Sequence, residues 1–210
     1  MSYSQNNEEE VILDHFGDRV GRFLDIGAFD GVTYSNTRAL VARGWHGICV
    51  EPNPYSFLKL LKACEQKQVE CVLAAVGCPE DAGIVPFYGK VDDSLDTHGV
   101  PSATVSTIND AHRDKWAMAV GGWTSFHVPV ISPEVLLSHL GWHYDFVNID
   151  VEGGNWQLLQ QFPISAMDAE LVCVEYEDRA VEMVEWLKDH GYEVIHRTTE
   201  NLIARIRSSI

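Results

Sequence analysis

At 210 residues, 46% hydrophobic and 22% charged, the chain has the composition of a soluble globular protein able to bury its own core, which excludes disorder over most of its length. A formal net charge of -16 opposes binding to nucleic-acid phosphates or anionic membranes and favours a small or cationic ligand. No apolar run approaches the roughly 20 residues of a membrane helix, and MSYSQNNEEE is no signal segment, so a cytoplasmic protein is expected.

Val11, Ile12, Phe16 and Val20 recur near a 3.6-residue period and predict a helix over 9–20. Arg22–Ile26 is a short apolar run halted by glycine. It reads as a buried strand feeding the turn Gly27–Gly31, then a helix over Ser35–Arg43 stopped by Gly44. HGICVEPNP supplies a strand at Gly47–Val50 and a helix over Pro54–Gln66, and Glu70–Val76 is the third strand. This βαβαβ order argues for a parallel sheet with helices on both faces.

From Gly77 to Pro133 the rhythm breaks. A strand at Ile84–Tyr88, a Ser/Thr-rich loop, a helix around Asn109–Val120 and an irregular WTSFHVPV stretch form an insertion expected to carry specificity. Ser132 caps a helix from Pro133 to His139. DFVNID, GNWQLLQQF, ELVCVEYE and DRAVEMVEWLKDHG then read as strand, helix, strand, helix, the last with Val181, Val184 and Leu187 on its buried face. YEVIHR and NLIARI form a strand pair joined by a tight turn. Five parallel strands ended by such a pair favour a methyltransferase sheet over a dinucleotide-binding one, in a single domain over 1–210 with 77–133 inserted.

In an open parallel sheet, ligands bind beyond the carboxyl ends of the strands. Three of those loops carry acids: DIGAFDG with Asp25 and Asp30, Glu51 after strand two, and Asp150 with Glu152 in DFVNIDVEGG. A dinucleotide would bring a pyrophosphate and normally meets GxGxxG, which is absent, and Asp30 would repel it. Like charges at about 4 Å cost roughly 4 kcal/mol at a protein surface. S-adenosylmethionine has no phosphate and brings a sulfonium and an ammonium, which carboxylates attract. Glu51 can accept both ribose hydroxyls of its adenosine. The five cysteines form no CxxC pair and read as reduced core thiols. Neither HExxH nor clustered Cys and His occurs, so no metal is expected.

FLDIGAFDGVTYSNT (Phe23–Thr37), VEPNP (Val50–Pro54) and FVNIDVEGGNWQLL (Phe146–Leu159), in this order, resemble the FkbM-type S-adenosylmethionine-dependent methyltransferases, with weaker similarity over roughly Arg22–Ile206. The resemblance implies a Rossmann-like class I methyltransferase fold: a seven-stranded, mostly parallel sheet with an antiparallel C-terminal strand and helices on both faces. It implies O-methylation of a hydroxyl on a small molecule, sugar or glycan. Cofactor contacts carry over to Asp25, Gly27, Ala28, Phe29, Gly31, Ser35, Asn36, Thr37, Glu51, Pro52, the Ala75–Val76 edge beside adenine, and Asp150, with Asp30 in the same loop. Two departures stand out. The loop is commonly DVGANxG, so Phe29 and Asp30 alter its lining, and EGxE is usual where this chain reads EGGN with Asn155.

Methyl transfer to an alcohol is an in-line displacement that also needs a base. Asp150 is the first candidate and Glu152 the second, though an acid there can instead hold the cofactor. Five histidines (His98, His112, His127, His139, His143) fall between 98 and 143, and His127, in the irregular stretch, is the histidine candidate. Trp116 and Trp123 are either a wall against the substrate or core aromatics. Glu175, Glu177 and Asp178 are either helix-start acids or part of the acceptor pocket, and Glu8–Glu10 read as a solvated helix entry. Metal assistance through Asp150, Glu152 and a histidine is demanded by no spacing. Two other readings stand: a noncatalytic adenosine-ligand-binding protein of the same fold, and a nucleotide-linked oxidoreductase.

Overall fold

The computed structural model describes residues 2–207. Its central strand is β1 (Arg22–Ile26), flanked in parallel by β2 (His46–Val50) and β7 (Phe146–Ile149). β3 (Val69–Val72) lies outside β2, and β8 (Leu171–Glu175) outside β7. β10 (Asn201–Ile206) runs antiparallel between β8 and β9 (Tyr192–Arg197), giving the order β3-β2-β1-β7-β8-β10-β9. The seven-stranded sheet is therefore the expected one, with a single strand reversed at its C-terminal side.

Alternation along each strand sorts the helices onto two faces. Leu24, Ile26, Val147 and Ile149 point to the face covered by α5 (Pro133–Leu140), α6 (Asn155–Gln161) and α7 (Ala180–Asp189), through Leu136, Leu137, Leu158, Leu159, Met183 and Leu187. Phe23, Cys49, Phe146 and Cys173 point to the other, against α1 (Glu8–Phe16), α2 (Arg38–Ala42) and α3 (Pro54–Ala63). Ser132 caps α5 as expected, its hydroxyl accepting from the Val135 N–H.

Register matters most for the site. Ile26 pairs with Val50 on one side and Ile149 on the other, and Ile149 pairs with Val174. The strands therefore end together, and the residues that follow, Gly27, Glu51, Asp150 and Glu175, emerge along one edge.

Several elements differ from expectation. The run Glu70–Val76 is not one strand: β3 stops at Val72, and Ala75–Val76 is β4, which pairs with β6 in a second sheet ordered β4-β6-β5. An apolar run gives no mark where the chain leaves one sheet for another. β5 (Gly83–Gly89) pairs antiparallel with β6 (Thr124–Ile131), so WTSFHVPV is mostly strand. Pro129 concealed it, and it sits where β6 is paired only with β5, opposite Ile84. α4 (Asp110–Val120) is the expected helix, capped by Asn109. α1 ends at Phe16, leaving Val20 exposed, and α7 buries Ala180, Met183 and Leu187 while Val181 and Val184 face outward. Glu8 and Glu9 are buried, not solvated; Glu8 accepts from Asn201 and Thr198, which ties α1 to the β9–β10 turn.

Candidate active site

A cavity of about 610 Å³ opens over the edge where β1, β2, β7 and β8 end. The second sheet, the segment before α4 and α4 itself wall its far side, through Phe87, Val105, Ile108 and Trp116. Among the described residues, nine acids and no lysine or arginine line it.

The first wall is the turn after β1. Gly27 and Ala28 donate their N–H groups to the Val50 carbonyl, and the Phe29 N–H donates to Glu51 Oε2 at 2.9 Å. Gly27 has φ +86°, and a Cβ there would lie 1.6 Å from the Asp150 carbonyl oxygen. The glycine thus serves the close approach of two backbone segments, rather than the approach of a ligand.

Glu51 is the second wall. It is 6% exposed; its Oε1 accepts from the Asn53 N–H at 2.7 Å, and each oxygen keeps capacity for another donor. Burial pushes its carboxyl up to about 8 against the hydrogen bonds from Asn53 and Phe29, with Asp25 and Asp150 adding repulsion. Asp25 is buried beneath the cavity floor, where Thr37 Oγ1 donates to Oδ2 at 2.6 Å and Asn148 Nδ2 to Oδ1 at 2.9 Å. Burial raises it to about 6 despite those bonds. Asn36 donates to Asn148 at 3.0 Å, and its own Oδ1, facing this region, is buried without a donor.

The loop after β7 is held from the insertion. Thr107 Oγ1 donates to the Glu152 carbonyl at 2.6 Å and Asn109 Nδ2 to the Gly153 carbonyl at 2.7 Å. Glu152 itself has φ +49°, a left-handed conformation that costs a non-glycine residue about 1 kcal/mol and that these bonds maintain. Asn155 bridges the loop to β8: its Oδ1 accepts from Val151 N–H at 2.8 Å and its Nδ2 donates to Glu175 Oε2 at 2.6 Å. A glutamate at 155 would repel Glu175; the asparagine holds it. Burial raises Asp150 and Glu175 well above the ordinary carboxylate range, with Glu152 repelling both, and raises Glu152 to about 8. Burial also lowers the neighbouring His112 to about 4, so its ring is neutral at pH 7.

Asp25, Gly27, Ala28, Phe29, Ser35, Asn36, Glu51, Pro52, Ala75, Val76, Asp150 and Glu152 all reach the cavity. Four expected residues do not. Thr37 lies under Asp25, and Gly31 packs against Leu60. Asp30 turns into its own loop, accepting from Val32 N–H, Thr33 N–H and Thr33 Oγ1, so it does not face a ligand in the cavity. His127 stands on the exposed face of β6 opposite Pro86, because strand alternation turns Val128 and Val130 inward. Of the two tryptophans, Trp116 lines the cavity with its Nε1 unpartnered, whereas Trp123 donates to the Arg113 carbonyl away from it.

Sequence reasoning named His112 among five histidines but preferred His127, and left Glu175 undecided. His112 is buried on α4, its Nε2 3.1 Å from Glu152 Oε2. Only the insertion's fold brings it there, and its helical position beside Trp116 gives no motif.

Methyltransferases of known structure share this fold. PH1948 from Pyrococcus horikoshii, to which RNA methylation is attributed, aligns with TM-score 0.52 at 11% identity over 99% of this chain and 88% of its own. The methyltransferase domain of METTL16, a human protein, aligns with TM-score 0.50 at 12% identity over 96% of this chain and 65% of its own. At such identities the likeness is one of fold alone. No curated protein matches the sequence. The profile of the methyltransferase FkbM domain matches residues 25–194, from the floor carboxylate of the cavity to β9, and the chain belongs to the FkbM methyltransferase family.

Proposed function

We propose that the protein uses S-adenosylmethionine to methylate a hydroxyl of a small molecule, sugar or glycan, within one unit whose 77–133 segment shapes the acceptor side. The observation that carries this reading is the cavity's charge: acids from four adjacent strand ends and no cationic side chain among the described residues. A phosphate-bearing cofactor would find no cationic side chain to pair with there, whereas an organic cation would draw the raised carboxyls toward their charged forms.

The residues present fit the cofactor. Glu51 has free acceptor capacity for two ribose hydroxyls, Asn36 Oδ1 is a buried acceptor without a donor where an ammonium can supply one, and Ala75–Val76 offers an apolar edge to adenine. When bound, S-adenosylmethionine supplies an electrophilic methyl group on a sulfonium. The chain's own part is to orient the acceptor and take its proton. Glu152, raised to about 8 and held by Thr107, is poised as a base near neutral pH, and Asp150 stands beside it with Oδ1 unpartnered. Trp116 presents a ring face and an unpartnered N–H to the cavity, suited to a sugar ring with its hydroxyl oxygens.

The net charge supports a small acceptor over nucleic acid. The test is methyl transfer from labelled S-adenosylmethionine to a panel of glycosides, phenols and polyketide alcohols. Asp150→Asn and Glu152→Gln should lower turnover by about 10²–10⁴. Full turnover in both variants, or label appearing only on nitrogen, contradicts the reading.

A further inference from the structure

Asp150, Glu152 and Glu175 each bring one carboxylate oxygen to a common point, all within 4.8 Å of one another. They come from two separate strand ends, and nothing cationic lines the cavity around them among the described residues. Proton sharing could relieve three crowded carboxylates, so the cluster alone decides nothing.

His112 decides it. Its side chain is 92% or more buried, at 8% relative exposure for the residue and 7% for the side chain, and it points at the cluster from α4. Nε2 sits 3.1 Å from Glu152 Oε2, yet the approach lies outside hydrogen-bond alignment and the atom has no partner. A buried ring nitrogen without a partner is costly, and a cation held by Glu152 would give it one. Asp150 Oδ1 is likewise buried without a partner. Two orphaned ligand atoms therefore border the three acids, Asp150 Oδ1 from within the cluster and His112 Nε2 from beside Glu152.

We propose that Asp150, Glu152, Glu175 and His112 form a binding site for one divalent cation of the manganese class, on the acceptor side of the cavity. Oxygen ligands at roughly 2.1–2.2 Å around an octahedral ion stand about 3–4.3 Å apart, so the three carboxylate oxygens close with shifts of under about 1 Å, and His112 joins them from the Glu152 side. Three carboxylates and one imidazole suit Mn²⁺ better than Mg²⁺, which favours oxygen alone, and lack the thiolates that favour softer metals. Asn155 holds Glu175 and Thr107 holds the Glu152 backbone, so the donors are positioned by bonds that do not involve the ion. Each carboxylate would give one oxygen to the cation; the second oxygen of Glu175 stays with Asn155, and that of Glu152 or Asp150 is left for the one acceptor proton. The site depends on neither the identity of the cofactor nor that of the acceptor.

The experiment is titration of the chelator-washed full chain with Mn²⁺, followed by electron paramagnetic resonance of free Mn²⁺ and by calorimetry, without cofactor or acceptor. One equivalent should bind saturably, weakened at least about tenfold in Glu175→Gln and in His112→Gln and unchanged in Glu134→Gln, an exposed acid on α5. A measurement on the wild-type chain guards against misfolded variants. In ¹⁵N-histidine spectra, substoichiometric Mn²⁺ should broaden one imidazole, that of His112, before the exposed His98 and His127. No saturable binding, variants that bind like wild type, or broadening that begins at an exposed histidine overturns the proposal.

Discussion

Glu51→Gln probes the cavity's charge at a buried carboxylate of its wall. Burial pushes Glu51 up to about 8 in the folded protein, against an ordinary value of 4.5 in the unfolded chain. The folded state therefore binds this proton more tightly. The stability that follows is complete below the unfolded value and is lost as pH rises through the folded one. One proton gives a slope of at most about 1.4 kcal/mol per pH unit. Glutamine has no proton to lose, so the variant should flatten this part of the profile between about pH 5 and pH 8. It should also carry a constant cost of about 1–3 kcal/mol, because its amide oxygen satisfies only one of the Phe29 and Asn53 N–H groups and its NH₂ faces the other. In the proposed site the ribose hydroxyls lose a charged acceptor, which at about 1.5–3 kcal/mol per bond weakens S-adenosylhomocysteine by roughly 10–100-fold. Urea denaturation across the pH range and calorimetry with that ligand read both effects. Parallel stability profiles, or equal affinities at pH 8, would refute the reasoning.

Gly27→Ala should destabilise by about 3 kcal/mol or more, since its Cβ meets the Asp150 carbonyl at 1.6 Å and the backbone is left-handed; the urea midpoint measures it, and a wild-type value would show that the turn can move aside. Trp116→Ala should raise the acceptor KM about tenfold while leaving S-adenosylhomocysteine affinity within about twofold, and a shift in the second quantity alone would place the ring on the cofactor side. His127→Gln should leave turnover and affinity as they are, because the residue is outside the cavity, and a loss of activity would restore it as a candidate base.

How much of this was legible before the structure follows from distance along the chain. β1 is local: an apolar run and a stop glycine place it at Arg22–Ile26 as read, although the helix expected from Ser35 begins at Arg38. The carboxylates at the strand ends were legible because a parallel sheet places its loops on one edge whatever the details of register. Asp30 was misread for the opposite reason: an aspartate followed by two N–H groups and a threonine hydroxyl satisfies itself within its own turn. The strand after Val72 was lost because Leu73–Val76 has the same apolar content whether it continues β3 or joins another sheet. His112 and Glu175 were named as candidates, but nothing local could single them out. They meet Glu152 from α4 and β8, across separations that no spacing rule encodes, and Asn155 acquires its meaning only once Glu175 is seen beside it.

The account rests on the claim that the acid-lined edge selects an adenosine carrying a sulfonium over one carrying phosphates. Calorimetry of the full chain with S-adenosylmethionine and, separately, NAD⁺ and ATP tests this most directly. Saturable one-to-one binding of the sulfonium ligand, with no heat from the phosphate-bearing ligands at millimolar concentration, is the predicted result. Silence from S-adenosylmethionine, or tighter binding of either phosphate-bearing ligand, would contradict it.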